Sequence, residues 1–421
     1  MNSRGIALVL ALTLAGVSPR PAAAGPAMTL DETLREARRA NAVLPVARLD
    51  AERTTAAVDE AKGRRLPSVA FDGDVHTGFP GRYASSDARA QLVAQVPLYD
   101  GGRLRAGVAS SVAAADDARA GYHQAELDLD RQVRSLFAAV LAVEQELAFR
   151  RAGIERLLSY RSLVEVRRAG GQGVAADLSK TQLRLGQGEA DVADAERRRD
   201  ELKLELNELM GRTPDAELAL APLAPPETPI ASSLAEPWLS APEVAQADAA
   251  ARAASANATA IRADRLPQIS LLADAGAEPV WGRSKLALLN TGEGWGGELV
   301  LSVNLPLWDA GVYRSRLSQG ALAEKAAVAR VSVAKRGARL AWQRAVVGLR
   351  SLFQEVTARA HTVDTARDSY LQTESLYRGG VGTALDVLDA YDGWIAASQA
   401  HAEAVLRYRL ADAELIRWGT P

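Results

Sequence analysis

The side chains best suited to chemistry are aspartates that follow two glycine clusters. Asp177 follows the first cluster, and Asp386 and Asp389 follow the second. An arginine stands before each cluster, Arg168 before the first and Arg378 before the second. The clustered glycines are Gly170, Gly171, Gly173, Gly379, Gly380 and Gly382. Carboxylates at a constriction repel anions and favour cations, whereas carboxylates at a helix start cap free N–H groups. Both interpretations of the aspartates stay open from the residues alone.

The sequence lacks the motifs of an assembled catalytic or metal site. It has no cysteine, and its four histidines lack the spacing of metal ligands. The Gly-x-x-x-x-Gly-Lys, His-Glu-x-x-His and Gly-x-Ser-x-Gly motifs are absent. The glycine-rich stretch 292–297 lies between predicted strands, whereas a phosphate-binding loop joins a strand to a helix. We therefore predict a protein that is not an enzyme and that holds no metal or cofactor.

The composition favours long helices over a thick globular core. Of 421 residues, 24% are charged and only 5% are aromatic, while about a fifth are alanine. Alanine is the strongest helix former, so an excess of it suits long, closely packed helices. The net charge of −2 argues against a nucleic-acid-binding protein, which usually presents a basic surface.

The first 24 residues, 1–24, have the features of a secretory signal peptide. Arg4 gives a positive start, 6–17 are apolar, and the alanines at 22–24 suit cleavage. The alternative is a membrane anchor, but the apolar stretch is too short to span about 30 Å of hydrocarbon. Because the chain has no cysteine, we expect a mature protein that is not lipidated at an N-terminal cysteine.

The rest of the sequence consists of two similar copies. The pattern Pro-Leu-aromatic-Asp-x-Gly at 97–102 returns at 306–311, and the second glycine cluster follows the first at the same offset of 209 residues. We predict a first repeat over 25–211 and a second repeat over 239–421. The proline-rich stretch 212–238 between them reads as an irregular linker, since proline breaks helices and excludes central strands.

Each copy has the same predicted order of elements. A helix over 30–64, or 239–264 in the second copy, ends at Arg-Leu-Pro. Alternating apolar and polar residues then predict two strands per copy. The predicted strands are 67–77, 89–97, 267–277 and 297–306. Long helical hairpins follow over 101–211 and 310–418, with apolar residues at the coiled-coil spacing and the glycines at the tips.

Four strands cannot close a barrel with an open lumen. In lipid every backbone polar group must be paired, so several chains must contribute to one barrel, and three chains would supply twelve strands. Aromatic residues near the strand ends fit the interface girdles of such barrels. They are Tyr99, Trp308 and Tyr313 at the helix end and Trp281 and Trp295 at the loop end. A soluble two-layer β domain with scattered surface aromatics is the alternative.

These residues resemble the TolC-like outer-membrane efflux protein family over nearly the whole mature length. The matching features are the duplicated order, Arg-Leu-Pro before the first strand, Pro-Leu-aromatic-Asp-x-Gly after the second, and a glycine six residues before an aspartate at each tip. The best matching stretch is 377–390. The sequence departs from the family at Gly382, where the usual gate arginine is missing, and at Lys180, which stands where the second copy has Asp389.

The resemblance implies an α+β membrane protein with two internal repeats. Three chains would form a homotrimer, with a 12-stranded barrel in the outer membrane of a Gram-negative bacterium and an antiparallel coiled-coil tunnel through the periplasm. Such ducts work with a periplasmic adaptor protein and an inner-membrane pump of the RND, ABC or MFS type. Outer-membrane lipid would surround the barrel, and nucleic acid is not an expected partner.

The resemblance also assigns roles at the tips. Asp386 and Asp389 would ring the periplasmic entrance, as aspartates of this family do. Asp177, at the first tip, is a candidate for the same gating role. From their place beside the glycines, we expect Arg378 and Arg168 to pair with carboxylates of neighbouring chains and to hold the entrance shut. The glycines would let an adaptor hairpin approach the backbone closely, although a simple turn also explains them.

The predicted function is therefore an exit duct that passively conducts cargo to the exterior for an efflux or type I secretion system. A soluble periplasmic coiled-coil scaffold is the alternative. The sequence leaves the cargo open among drugs, metal cations and polypeptides.

Overall fold

A computed structural model describes residues 27–78, 85–170, 175–227, 236–277, 280–281 and 295–418. It is mostly helical, with one small antiparallel sheet. The helices are α1 (Leu30–Ala40), α2 (Val43–Gly63), α3 (Arg103–Ala169), α4 (Ala175–Leu209), α5 (Pro242–Ala263), α6 (Val312–Arg378) and α7 (Ala384–Glu414). The strands are β1 (Ser68–Gly78), β2 (Ser85–Tyr99), β3 (Gln268–Ala277), β4 (Val280–Trp281) and β5 (Trp295–Asn304). Among the helices in these ranges, none has a stretch long and apolar enough to cross a bilayer. The expected signal peptide at 1–24 lies outside the described residues.

The prediction of a single helix over 30–64 is wrong in one respect, because the structure has two helices there, α1 and α2. The chain leaves α1 at Asn41, whose backbone is extended (φ −63°, ψ 132°). The Asn41 side-chain oxygen accepts a hydrogen bond of 2.8 Å from the N–H of Val43, the first residue of α2. Asparagine competes with helical hydrogen bonding in this way, so it favours helix boundaries. Asn41 is therefore a local sequence signal for the break between α1 and α2.

The sheet has the strand order β1–β2–β3–β5, with all neighbours antiparallel and β4 paired to the start of β2. The register collects apolar residues on one face. Phe71 lies opposite Leu92, and Leu271 lies between Val96 and Leu301. Since side chains alternate between faces, the intervening residues form the other face, which is largely polar. Its polar members are Ser68, Asp72, Gln91, Gln95, Gln268, Ser270, Asp274, Glu298, Ser302 and Asn304.

A turn with a left-handed glycine joins each strand pair to its long helix. At the start of α3, Asp100 accepts hydrogen bonds from the N–H groups of Gly102 and Leu104, and Gly102 has a φ of 92°. Asp309 accepts from the N–H of Gly311 (3.1 Å) and from the second residue of α6 (2.6 Å) in the same way. The Pro-Leu-aromatic-Asp-x-Gly pattern is thus the sequence of this strand-to-helix turn, with the aspartate compensating the positive helix end.

The long helices form a layer in which α3 lies centrally. Helix α3 packs against α2 and α4 and also against α5 and α7, whereas α6 packs mainly against α5 and α7. The order across the layer is α2–α3–α5–α6 near the sheet and α4–α3–α7–α6 near the hairpin tips. The main core lies where α4 ends and α2 begins, around Val133, Phe137 and Val140 of α3. The layer therefore has two edges, α6 on one side and α2 with α4 on the other.

Candidate functional site

The second hairpin tip turns at a single left-handed glycine. Gly380 has a φ of 86°, while Gly379 is right-handed with a φ of −76°. The carbonyl oxygen of Leu376 accepts hydrogen bonds from the N–H groups of Val381 (3.0 Å) and Gly382 (3.2 Å), which ends α6. At the first tip, Gly170 has a φ of −81°. Gly171 and Gly173 lie outside the described residues. The required left-handed position at the second tip is thus one residue, not the whole cluster.

Asp386 caps the first turn of α7. Its carboxylate accepts hydrogen bonds from the N–H (2.9 Å) and hydroxyl (2.7 Å) of Thr383, and its own N–H donates to the Thr383 hydroxyl oxygen at 3.3 Å. This reciprocal pattern is a capping box. The hydrogen bonds from Thr383 hold the pKa of Asp386 below its ordinary value. The side chain is exposed, so it stays negatively charged at neutral pH.

The other two predicted aspartates have freer carboxylates. Asp389 is exposed one turn after Asp386, and Asp177 is half-buried in the first turn of α4. Neither carboxylate has a hydrogen bond or ion pair with the residues that the structure describes. A third acid of α7, Asp392, contacts Arg184 of α4 at 2.6 Å. Burial raises the pKa of Asp392, and the charge of Arg184 opposes that rise.

The arginines before the glycines have different partners. Arg378 forms an ion pair with Glu374 of its own helix at 2.7 Å, while Arg168 is exposed and makes no ion pair within the described ranges. At this level it is Arg167, which the sequence did not single out, that contacts the other hairpin. Its guanidinium donates to the carbonyl oxygen of Tyr377 and lies 4.6 Å from the centre of that tyrosine's ring. Arg167 therefore joins the end of α3 to the end of α6.

A buried aromatic cluster lies behind the second tip. The Tyr160 and Tyr377 rings are 5.3 Å apart, and the Tyr160 hydroxyl donates to the Ala384 carbonyl oxygen at 3.4 Å. Tyr370 stacks on Trp394 at 5.8 Å. Burial raises the pKa of Tyr160 and raises the pKa of Tyr370 to about 12. These rings hold the ends of α3, α6 and α7 near the hairpin tip in fixed positions relative to one another.

The predicted interface aromatics lie near the junction of sheet and helices where the structure describes them. Trp308 is 85% exposed and Tyr99 is 47% exposed. Tyr313 is half-buried, with the guanidinium of Arg265 5.1 Å from its ring centre. Trp281 and Trp295 lie in β4 and β5, but their side chains are outside the described part.

No group of acidic or histidine side chains in the described ranges is arranged to hold a metal ion. The site is therefore a set of carboxylates, arginines and aromatic rings at the helix tips, together with a band of aromatic and apolar residues around the sheet.

Comparison with known sequences gives the family. The sequence matches the outer membrane efflux protein family over residues 33–212 and 238–418. A 164-residue segment is 32% identical to the probable efflux pump outer membrane protein TtgC of Pseudomonas putida. That segment is 38% of this chain and spans 32% of the length of TtgC.

Comparison with solved structures gives the same fold. The outer membrane protein VceC of Vibrio cholerae superposes with a TM-score of 0.80 at 19% identity, over 93% of this chain and 96% of that one. The transmembrane channel protein CusC superposes with a TM-score of 0.83 at 17% identity, over 93% and 92%. The likeness to TolC-like channels predicted from the motifs is confirmed. The chain belongs to the outer membrane efflux protein family, whose members are outer membrane channels and not enzymes.

Proposed function

We propose that three copies of the chain form an exit duct in the outer membrane, through which cargo passes passively from a tripartite efflux or type I secretion complex to the exterior. The observation that carries this proposal is that the sheet and the helical layer both have edges with no neighbouring element in the described part of the chain. A four-stranded sheet with one apolar face continues into a layer of helices about 100 Å long, and both sheet and layer end in uncovered edges.

The sheet supports a lipid-facing wall. Phe71 and Leu299 on its apolar face are each 70% exposed, and no described element covers that face. The outer strands β1 and β5 each have one edge without a paired strand in the described part of the chain. In lipid an unpaired strand edge is too costly, so β1 of one copy would pair with β5 of the next. The polar face would then line a water-filled lumen.

Exposed apolar residues on the two edges of the helical layer support its closure into a ring by the same three copies. On α6, Val333, Leu340 and Val347 recur every seven residues and are 58%, 47% and 67% exposed. On the opposite edge, Val43 and Leu49 of α2 are 63% and 62% exposed. A seven-residue apolar stripe is the signature of a helix that packs against another. In a closed ring, the α6 edge of one copy would pack against the α2 and α4 edge of its neighbour.

The hairpin tips would form the periplasmic entrance, where an adaptor and an inner-membrane pump dock. Family members work with efflux pump components. In the proposed trimer, Asp386 and Asp389 face their symmetry mates at the narrow end of the tunnel and favour cations. Arg167 and Tyr377 would keep each entrance hairpin against its neighbour in the same chain.

A charge test separates the gate from the cap. The variant Asp386→Ala with Asp389→Ala should raise conductance in a planar bilayer, but it also removes the capping box. Asp386→Asn with Asp389→Asn keeps an oxygen acceptor and removes both charges, so it should lower cation preference while α7 stays intact. Thr383→Ala is the matched control, because it weakens the cap and leaves the charges. Unchanged cation preference in the asparagine variant would remove the carboxylate ring from the proposal.

Membrane fractionation separates the duct from a soluble periplasmic scaffold. We expect the protein in the outer-membrane fraction, extracted only by detergent, as a trimer that dissociates on heating. Recovery as a detergent-independent monomer in the soluble fraction would contradict the duct.

A further inference from the structure

Two clefts lie at equivalent positions where the strands meet the long helices. The smaller has a volume of about 430 Å³ and the larger about 570 Å³. Each is entered by the arginine of an Arg-Leu-Pro motif, Arg65 in the first and Arg265 in the second. Each also contains the leucine and aromatic residue of the following strand-to-helix turn. These pairs are Leu98 with Tyr99 and Leu307 with Trp308.

Both clefts contain arginines that form no ion pair with the described residues. Arg105 joins Arg65 in the smaller cleft, and Arg103 and Arg316 join Arg265 in the larger. All five are exposed, and none forms an ion pair with any residue in the described ranges. The carboxylates that line the clefts are Asp100, Asp264 and Asp309. Arginines therefore outnumber carboxylates by two to one in the smaller cleft and by three to two in the larger, and Asp100 and Asp309 already accept N–H groups of the following helices.

The apolar side of each cleft continues the lipid-facing surface of the sheet. Leu307 and Trp308 are 81% and 85% exposed, and Leu98 is 56% exposed. A register shift between Pro97 and Tyr99 places Tyr99 opposite Ile269. Such a bulge re-aims a side chain, and here it moves Tyr99 onto the apolar face. Each cleft therefore combines a net positive charge with an exposed apolar and aromatic surface at the end of the sheet.

We propose that each cleft binds one anionic phospholipid of the periplasmic leaflet. The guanidinium groups would hold the headgroup phosphate, and the acyl chains would lie along Leu98 and Tyr99 or along Leu307 and Trp308. Arginine suits this role because its fork of donors matches phosphate oxygens, and aromatic rings prefer the membrane interface. This inference rests on the proposed barrel in the outer membrane, because it sets the clefts at the level of the headgroups.

Quenching of Trp308 fluorescence by brominated phospholipids tests the larger cleft. The purified full-length assembly is reconstituted in vesicles of phosphatidylcholine and phosphatidylglycerol, with bromine on the acyl chains of one lipid at a time. Subtracting the signal of Trp308→Phe isolates this residue. We expect brominated phosphatidylglycerol to quench Trp308 selectively. In Arg265→Gln with Arg316→Gln that selectivity should fall by about fivefold for each arginine removed. Tyr99→Trp extends the assay to the smaller cleft.

Two controls make the result specific. Arg330→Gln with Lys335→Gln removes two exposed cations of α6 that lie outside both clefts, so it should leave the selectivity unchanged. Inorganic phosphate added to the vesicles should not abolish the selectivity, since it lacks acyl chains. Circular dichroism and the heat-dissociable trimer band confirm that the variants are folded.

The outcomes separate this inference from the proposed function. Equal quenching by both brominated lipids, or an equal loss in the control variant, would overturn lipid binding in the cleft while leaving the barrel in place. Displacement by inorganic phosphate would show a free-phosphate site instead and would also overturn the lipid proposal. If neither brominated lipid quenches Trp308, the junction is not at the membrane, and the proposed function fails with the inference.

Discussion

The two longest helices, α3 and α6, differ in what surrounds them. Both have 67 residues, both begin after a left-handed glycine, and both end at a hairpin tip. Helix α3 buries large side chains along its length, including Val133, Phe137 and Val140, which are fully buried. Over its sheet-proximal half, α6 buries chiefly Gly320, Ala327 and Ala338.

The two helices also differ in how many of their charged side chains are paired within the chain. Residues 103–145 of α3 contain five basic and six acidic residues, and several pair with other helices, such as Asp130 with Arg38. The equivalent 312–354 of α6 contain nine basic residues and one acid, Glu324, which pairs with Arg262 of α5 at 3.1 Å. None of those nine forms an ion pair in the part of the chain that the structure describes. Helix α3 is thus packed and paired within one chain, whereas α6 presents an exposed, positively charged surface, which the proposed trimer would cover.

The largest expected effect is in the interior helix. Phe137→Ala should lower the free energy of unfolding by about 3–5 kcal/mol, because a fully buried ring is replaced by a cavity. Leu340→Ala, on the exposed stripe of α6, should leave the unfolding of a dissociated chain nearly unchanged. Chemical denaturation of both variants measures this difference, and similar losses in the two would show that α6 is not an edge.

A charge on the α6 stripe should act on assembly instead of folding. Leu340→Asp would bury an unpaired carboxylate between copies and should cost about 2–3 kcal/mol at each contact. Val328→Asp is the matched control, since Val328 is 56% exposed on the same helix but off the stripe. Native mass spectrometry of the detergent-solubilised protein should show dissociation of the first variant only. Equal dissociation of both would argue against the stripe as the contact.

The hairpin tip gives a smaller, local effect. Gly380→Ala should destabilise the turn by about 1–2 kcal/mol, because its φ of 86° is strained for any residue with a Cβ atom. Gly379→Ala has an ordinary right-handed backbone and should cost little. Hydrogen exchange of the amides at 381 and 382 would report the opening. Faster exchange in both variants would mean that the turn depends on the cluster and not on the single residue.

Near the hairpin tip α6 is covered by other helices, and the dependence of the protein's stability on pH should show this. Burial raises the pKa of Tyr370 and of Tyr391 to about 12. A tyrosine whose pKa is raised on folding contributes stability in full below its unfolded value of about 10 and loses it as the pH rises to about 12. Absorbance titration should therefore show tyrosines that ionise late, and thermal stability should decline between pH 10 and pH 12. Tyr370→Phe should reduce that decline, and an unchanged decline would remove this tyrosine from the explanation.

The sequence predicted the elements better than the contacts between them. Alternation located the strands because the sheet separates an apolar from a polar face, and residues such as Leu129 and Val133 lie on the buried face of α3 as their spacing indicated. The Thr383-x-x-Asp386 spacing could have identified the capping box. Nothing in the sequence distinguished Arg167 from Arg168, because only the packing of α3 against α6 and α7 brings one of them to Tyr377. Likewise, the left-handed backbone at Gly380 and not at Gly379 depends on where α6 ends.

Disulfide cross-linking between the two edges is the sharpest test of whether neighbouring copies close the helical layer, because the chain has no cysteine of its own. Counting 1.5 Å per residue down from the sheet places Val43 of α2 level with the region of Val333 on α6. Val43→Cys is combined in separate variants with Ala329→Cys, Val333→Cys or Gly337→Cys and oxidised in outer-membrane preparations. We expect cross-linked dimers and trimers, and no larger species, for at least one pair, and no cross-linked species for the single-cysteine variants. Monomers alone from all three pairs would contradict closure of the helical layer by neighbouring copies.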